Sequence, residues 1–393
     1  MASQVVCVIA ILATVSRAFV HPGLLHTDAD FERISALVVD QSEPWYTDWQ
    51  LMLNNSHCQS TYTPNPQSIV YRGYDGTHAE NYQALYNDAA AAYQLALRWR
   101  IGNDSAYGDA AANVLNAWAS TLTDITGTSD AALAVGIYGY QLANAAEILR
   151  SYSGWSSSDQ SALASMFDDV FVAESLYFLN THYGQDDVHF FANWDICNLA
   201  AMMAIGVFND NQTLYDYALN YALTGPSTGA LPRFDIANFT ESGTNKPLVE
   251  GQEAGRDQGH ATLDFALYGV LAQQAYNQGD DIFAAYNNEI LAASEYCSKY
   301  NVGQDVPFTA YSSDEGNFTE VASGSRYAIR PGFELIYAHY AGVKGMDASW
   351  TGLYRDMVNG NSTDGVEGGG GDYGGDSGGY DGLGYGTLLY RLS

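Results

Sequence analysis

The sequence is poor in positive charge: 15 Lys and Arg stand against 45 Asp and Glu, a formal net charge of −30. Such a field argues against nucleic acid and anionic membranes as partners, since both need cations spread over an extended face. Cysteine is scarce as well, with four in 393 residues. Cys7 falls in the leader described below, which leaves Cys58, Cys197 and Cys297. That odd set allows at most one internal disulfide, so stability must come from a packed core and not from a disulfide framework. Beyond the leader, no apolar run approaches the ~18 residues that span a bilayer. Strand-like alternation is nearly absent, and no repeat of fixed period occurs. No His, Cys and carboxylate set has zinc spacing, and no cofactor is expected; the acidic loop around Asp372 and Asp376 is the nearest approach to a calcium pattern.

What is present begins with residues 1–18, whose apolar stretch 5–15 and small-residue ending Ser16-Arg17-Ala18 read as a secretory signal peptide. Six Asn-x-Ser/Thr sequons follow, at Asn54, Asn103, Asn211, Asn238, Asn317 and Asn361. Leader and sequons support one another, and together they indicate a secreted, extracellular glycoprotein. Removing the leader leaves 393 − 18 = 375 residues with a charge of 14 − 45 = −31. No linker-like break interrupts residues 19–393, which are read as one domain of a monomeric protein.

Apolar residues recur at spacings of three and four along most of the chain, clearest at Tyr82, Leu85, Tyr86, Ala89, Tyr93, Leu97 and Ile101. The spacing predicts helices over 28–53, 79–101, 107–122, 131–151, 158–179, 194–208, 214–223, 259–277, 281–300, 331–341 and 348–359, joined by turns rich in Gly, Asn and Asp. Helical hairpins of this number predict an all-α fold, an α/α toroid or incomplete α/α barrel. Thirty Tyr, 15 Phe and 7 Trp suit a toroid whose inner helix ends line a carbohydrate cleft, although most must simply pack helix interfaces. Residues 364–385 form a glycine-rich loop whose tyrosines, Tyr373 among them, are placed to close over the cleft, and 384–392 reads as a short terminal strand.

The densest chemistry lies in Glu253-Ala-Gly-Arg256-Asp257-Gln258-Gly259-His260, where an arginine and a histidine stand one helical turn apart in a chain short of cations. That arrangement suits an anion. Asn193 opens a strongly apolar helix as its expected N-cap, followed by Trp194 and preceded by His189. Tyr300 ends another helix, and Tyr71 sits in an aromatic loop. The residues from Glu253 to His260, together with Gln274-Ala-Tyr-Asn277-Gln278-Gly279-Asp280-Asp281, Lys299-Tyr300-Asn301-Val302-Gly303, Arg330-Pro331-Gly332-Phe333-Glu334 and the terminal Gly-Gly-Gly-Gly-Asp-Tyr run, resemble the alginate lyase superfamily, in its glucuronan-lyase-like branch. The resemblance spans roughly residue 193 to the C-terminus.

The resemblance implies an α/α toroid that cleaves a 1,4-linked polyuronate by β-elimination, glucuronan ahead of alginate. Removing the proton at C5 beside an ionised carboxylate piles a second negative charge onto an anion, so donors must neutralise that carboxylate. By the resemblance Asn193, His260 and Arg256 supply them and Tyr300 serves as base and acid; Trp194, His189, Arg330, Asp257, Glu253 and Tyr373 are candidate substrate contacts, and Tyr71 either stacks on sugar or packs its loop. The sequence departs from several alginate lyases in having Trp194 where a histidine follows the asparagine, which leaves His260 and His189 both open as the imidazole. Two other readings compete. A toroidal glycoside hydrolase would use paired carboxylates such as Asp186 and Asp187; a glycan-binding protein would need aromatic platforms but no cluster of rare cations.

Overall fold

A computed structural model of the chain describes residues 18–361, 364–374 and 379–393, apart from the Asn361 side chain. The leader reading of residues 1–17, the Asn361 sequon and Asp376 lie outside the described residues. Fifteen helices follow in order among them: α1 (Asp28–Val39), α2 (Trp45–Asn54), α3 (Gln83–Gly102), α4 (Ser105–Ala119), α5 (Ala131–Leu149), α6 (Ser157–Met166), α7 (Ala173–Thr181), α8 (Ala192–Phe208), α9 (Gln212–Thr224), α10 (Leu231–Phe234), α11 (Gln258–Gln278), α12 (Ala285–Asn301), α13 (Phe333–Tyr337), α14 (Ser349–Asn361) and α15 (Gly386–Tyr390). Three strand pairs are inserted between them: β1 (Ile69–Arg72) runs parallel to β2 (Asp124–Gly127), β3 (Asp235–Thr240) antiparallel to β4 (Pro247–Gly251), and β5 (Tyr311–Ser313) antiparallel to β6 (Gly316–Phe318).

The helices form the expected α/α toroid. An inner row, α3, α5, α8 and α11, packs side by side, and α4, α6, α7 and α9 cover its outside. Sequence explains the inner row, because helices that are apolar all round can be stable only when buried all round. In α5, 18 of 19 residues are buried, Leu133 being the exception; in α8, 16 of 17 are buried, the exception being Trp194. Glycine lets the two helices touch. A Cβ on Gly136 of α5 would lie 2.4 Å from Cys197 Sγ and 2.8 Å from the Asn198 backbone nitrogen of α8.

The ring closes where the chain ends meet. Arg33 Nη2 donates to Leu389 O at 2.7 Å, Trp45 Nε1 to Arg391 O at 2.9 Å, and the Leu388 amide to Asp48 Oδ2 at 2.7 Å. Residues 384–392, expected as a strand, therefore contain the short helix α15. The run Gly-Thr-Leu-Leu-Tyr carries no periodicity that separates the two states, and beyond one isolated bridge between Gly384 and Gly369 its backbone bonds locally. The helix expected over 28–53 is broken between α1 and α2, where Gln41 takes a positive φ of 51° and Pro44 removes a donor. The helix expected over 158–179 is one continuous rod through α6 and α7, widened to a π-helical turn at Phe167–Val172. Cys58, Cys197 and Cys297 are free and buried, so no disulfide forms among them.

Candidate active site

The inner helices α5, α8 and α11 aim their N-termini at one cleft of about 500 Å³. Asp130, Leu133 and Ile137 line it from the start of α5, Asn193 and Trp194 from the start of α8, and Arg256, Asp257, Gly259, His260 and Leu263 from the start of α11. The two residues that escape burial in α5 and α8, Leu133 and Trp194, are thus cleft residues. Arg72 at the end of β1, Ser325 and Arg330 before α13, and Asp381 of the C-terminal segment complete the wall. Helices of 19, 17 and 21 residues deliver the positive ends of their dipoles here, joined by three of the chain's 15 Lys and Arg. Asp130, Asp257 and Asp381 line it too, so the formal charge of its wall is near zero in a molecule that is strongly negative as a whole.

Arg256 and His260 do not share a helix face. Arg256 ends a short 3₁₀ turn, Gln252–Gly255, Asp257 caps α11, and His260 occupies the third helical position, where its amide donates to Asp257 Oδ1 at 2.9 Å. The same carboxylate holds the imidazole, with His260 Nδ1 2.6 Å from Asp257 Oδ2. That contact makes Nδ1 the protonated nitrogen and leaves Nε2 to face other partners. Burial raises the Asp257 carboxyl, but the two bonds from His260 outweigh it and hold it below the usual carboxylate range.

Asn193 is not the N-cap of α8; Phe191 holds that position and Asn193 lies one residue inside the helix. Its side chain instead turns toward Glu253, donating from Nδ2 to Oε1 at 2.6 Å, while Arg256 Nη1 donates to the same oxygen at 3.3 Å. Glu253 is 1% exposed. It is absent from the cleft lining and bridges Asn193 and Arg256, which do line it. Each donor keeps further N–H groups for the cleft. Burial pushes Glu253 up, and burial followed by the neighbouring Glu253 pushes Asp264, one turn beyond His260 on α11, well above the ordinary range. Neither Asp264 oxygen nor Glu253 Oε2 accepts a hydrogen bond from the protein.

Other expected residues fall in different places. Arg330 lines the cleft, where Nε donates to Thr262 Oγ1 at 3.3 Å and Nη2 to Gly259 O at 3.1 Å, while Glu334 pairs with Arg391 at 2.6 Å. Tyr300 lies at the end of α12, 8% exposed, with the Arg326 guanidinium 3.8 Å above its ring, and is not among the residues lining the cleft. His189 is held by Asp314 at 2.8 Å on an adjoining loop, and Tyr71 stacks on His78 at 4.4 Å. The Tyr373 hydroxyl accepts from the Gly368 amide at 2.7 Å and Asp372 Oδ2 from the Gly369 amide at 3.0 Å, so both brace the C-terminal loop. Among the described residues no cluster of three or more His, Cys, Asp or Glu is placed to hold a metal ion. Asp186 and Asp187 are exposed and line no part of the cleft. Sequence reasoning missed Arg72, Asp130 and Asp381. For Arg72 the signal was present in Tyr71, its neighbour on β1, because alternate strand residues face opposite ways and the cleft takes the other parity.

The alginate lyase family profile matches residues 39–306. The chain belongs to that family and is a polysaccharide lyase. Its fold is similar to a His-to-Ala variant of alginate lyase A1-III complexed with a tetrasaccharide, at 14% identity and a TM-score of 0.62, covering 97% of this chain and 99% of that one. It is similar also to alginate lyase A1-III from Sphingomonas species A1, at 15% identity and a TM-score of 0.60 with 97% and 99% covered. An alginate lyase from Bacteroides ovatus superposes at 12% identity and a TM-score of 0.60, with 95% and 100% covered. No curated protein matches the chain.

Proposed function

We propose that the protein cleaves a 1,4-linked polyuronate by β-elimination, with glucuronan as the preferred polymer and alginate next. The observation that carries this reading is the convergence on one cleft of Asn193, from the start of α8, and of Arg256 and His260, from the start of α11, with Asn193 and Arg256 braced by Glu253 and His260 by Asp257. The free N–H groups of Asn193 and Arg256 are donors for the substrate carboxylate, and they offset the charge that builds as C5 loses its proton. His260 Nε2 is the group available to take that proton, because Asp257 holds the other nitrogen as the donor. Electrons from the C5–H bond form the C4–C5 double bond and expel the 4-linked oxygen, which takes up the proton from the imidazolium formed at His260 and so restores the base. Tyr300, the base implied by family resemblance, is the alternative, and its position outside the cleft lining favours His260. The order of substrates rests on the resemblance to the glucuronan-lyase-like branch.

Secretion and N-glycosylation belong to the same reading, and the exposed positions of Asn54, Asn103, Asn211, Asn238 and Asn317 support it. The protein is read as a one-domain monomer that needs no added cofactor. Initial rates on glucuronan and alginate for the parent, Asn193→Ala and Arg256→Ala test the proposal. Each variant should lose roughly 10²- to 10³-fold in kcat, the size of effect seen when one donor to a developing anion is removed. Parent-like rates in both would remove the neutralising role.

A further inference from the structure

Arg72 lines the same cleft as Asn193, Arg256 and His260, from a strand and not from the inner helices. Its guanidinium is 4.9 Å from the centroid of the Tyr82 ring and 5.8 Å from that of Tyr138, and Nη1 reaches the Tyr138 hydroxyl at 3.5 Å. These aromatic neighbours fix the fork without neutralising it. No carboxylate lies within ion-pair distance of Arg72 among the described residues, although Asp130 and Asp381 line the same cleft.

Asp381 is complementary. It is 7% exposed, its Oδ1 accepts no hydrogen bond from the protein, and its Oδ2 stands 3.7 Å from Arg330 Nη1. The segment that carries it is pinned by its own carbonyls, since the Tyr140 hydroxyl donates to Asp381 O at 3.0 Å and Gln141 Nε2 to Tyr380 O at 2.7 Å. A buried acceptor left without a donor is costly, and a sugar hydroxyl is a donor of the right kind. Burial, opposed by Arg330 and Arg72, pushes the Asp381 carboxyl above its ordinary range, which lessens its repulsion of an anionic chain. The cleft, about 500 Å³, is larger than one hexuronate fills, so a polymer threaded through it presents a second sugar to this wall.

We propose that Arg72 and Asp381 form a second uronate subsite beside the elimination centre, in which Arg72 meets the carboxylate of a neighbouring sugar and Asp381 accepts one of that sugar's ring hydroxyls. The proposal rests on the polyuronate reading above, and a binding measurement separates the two. In a His260→Ala background, which leaves the ligand uncut, calorimetric titration with a glucuronate oligomer is compared with and without Arg72→Ala, Arg72→Lys and Asp381→Asn. Arg72→Ala should weaken binding roughly ten- to a hundredfold and flatten its salt dependence, the loss expected for one charge-assisted contact. Arg72→Lys should recover part of the loss, and Asp381→Asn, which keeps the shape but accepts more weakly, should weaken binding severalfold. A neutral 1,4-linked glucan oligomer should bind the Arg72 variants and their parent alike. In the enzyme with His260 intact, Arg72→Ala should raise KM by a larger factor than it lowers kcat. Unchanged affinity for the glucuronate oligomer in folded Arg72→Ala and Asp381→Asn proteins would overturn the subsite. Absence of elimination by the parent would overturn the function reading while leaving the binding result to stand or fall by itself.

Discussion

Asn193, Arg256, Asp257 and His260 form two short braced units, one around Glu253 and the other around Asp257. Each brace fixes a side chain that would otherwise sample several rotamers, and it decides which atoms remain for a ligand. The consequence is sharpest for the proton at C5. His260→Ala should lower kcat by about 10²- to 10⁴-fold, the usual contribution of a positioned base, whereas Tyr300→Phe should stay within a few-fold of the parent. The reverse order in steady-state rates would return the base to Tyr300. Rare cations in an acidic chain drew attention to Arg256 and His260 from sequence alone. The role of Glu253 was hidden, because a buried carboxylate and a ligand-binding one look identical in a string of residues.

At the scale of elements, the site depends on how closely α5 and α8 approach. Ala is intrinsically the better helix former, by roughly 1 kcal/mol over Gly. At position 136 that gain is outweighed, since the added Cβ meets Cys197 Sγ at 2.4 Å and the Asn198 backbone at 2.8 Å, and overpacking of this kind costs about 1–3 kcal/mol. Gly136→Ala should therefore lower the thermal unfolding midpoint and, by tilting the start of α8, reduce turnover through Asn193. A midpoint equal to or above the parent's would contradict the close packing. The long helices were legible because a period of three and four persists through 83–102 and 258–278. The tail was not: Gly384-Tyr385-Gly386-Thr387-Leu388-Leu389-Tyr390 is too short to show a period, and its helix depends on contacts with residues 33, 45 and 48, far away in sequence.

For the whole molecule, acidity and burial act together. Burial, and then Glu334, pushes Glu367 up to about 8, while burial raises Glu250 and Glu289 to about 7. A carboxyl raised in the folded state contributes stability that is fully present below its unfolded pKa and is lost as pH rises through the folded value. Asp257, Glu241 and Asp347 are held low, so their contributions are lost only on acidification below the ordinary carboxylate range. The unfolding midpoint should accordingly be higher at about pH 5.5 than at about pH 9. Glu367→Gln, which keeps the oxygen that accepts from the Gly332 amide at 3.1 Å, should shrink that difference. A flat profile, or one rising toward alkaline pH, would show that these carboxyls are ionised in the fold.

Ring topology, family and a cleft that gathers three of the 15 Lys and Arg in a chain of charge −30 support the proposed chemistry, elimination from a polyuronate. Its most direct test is ultraviolet absorbance during digestion of glucuronan, followed alongside release of reducing ends. Each new reducing end should appear with one conjugated C4–C5 double bond on the opposite fragment. Reducing ends released without that absorbance would contradict that chemistry.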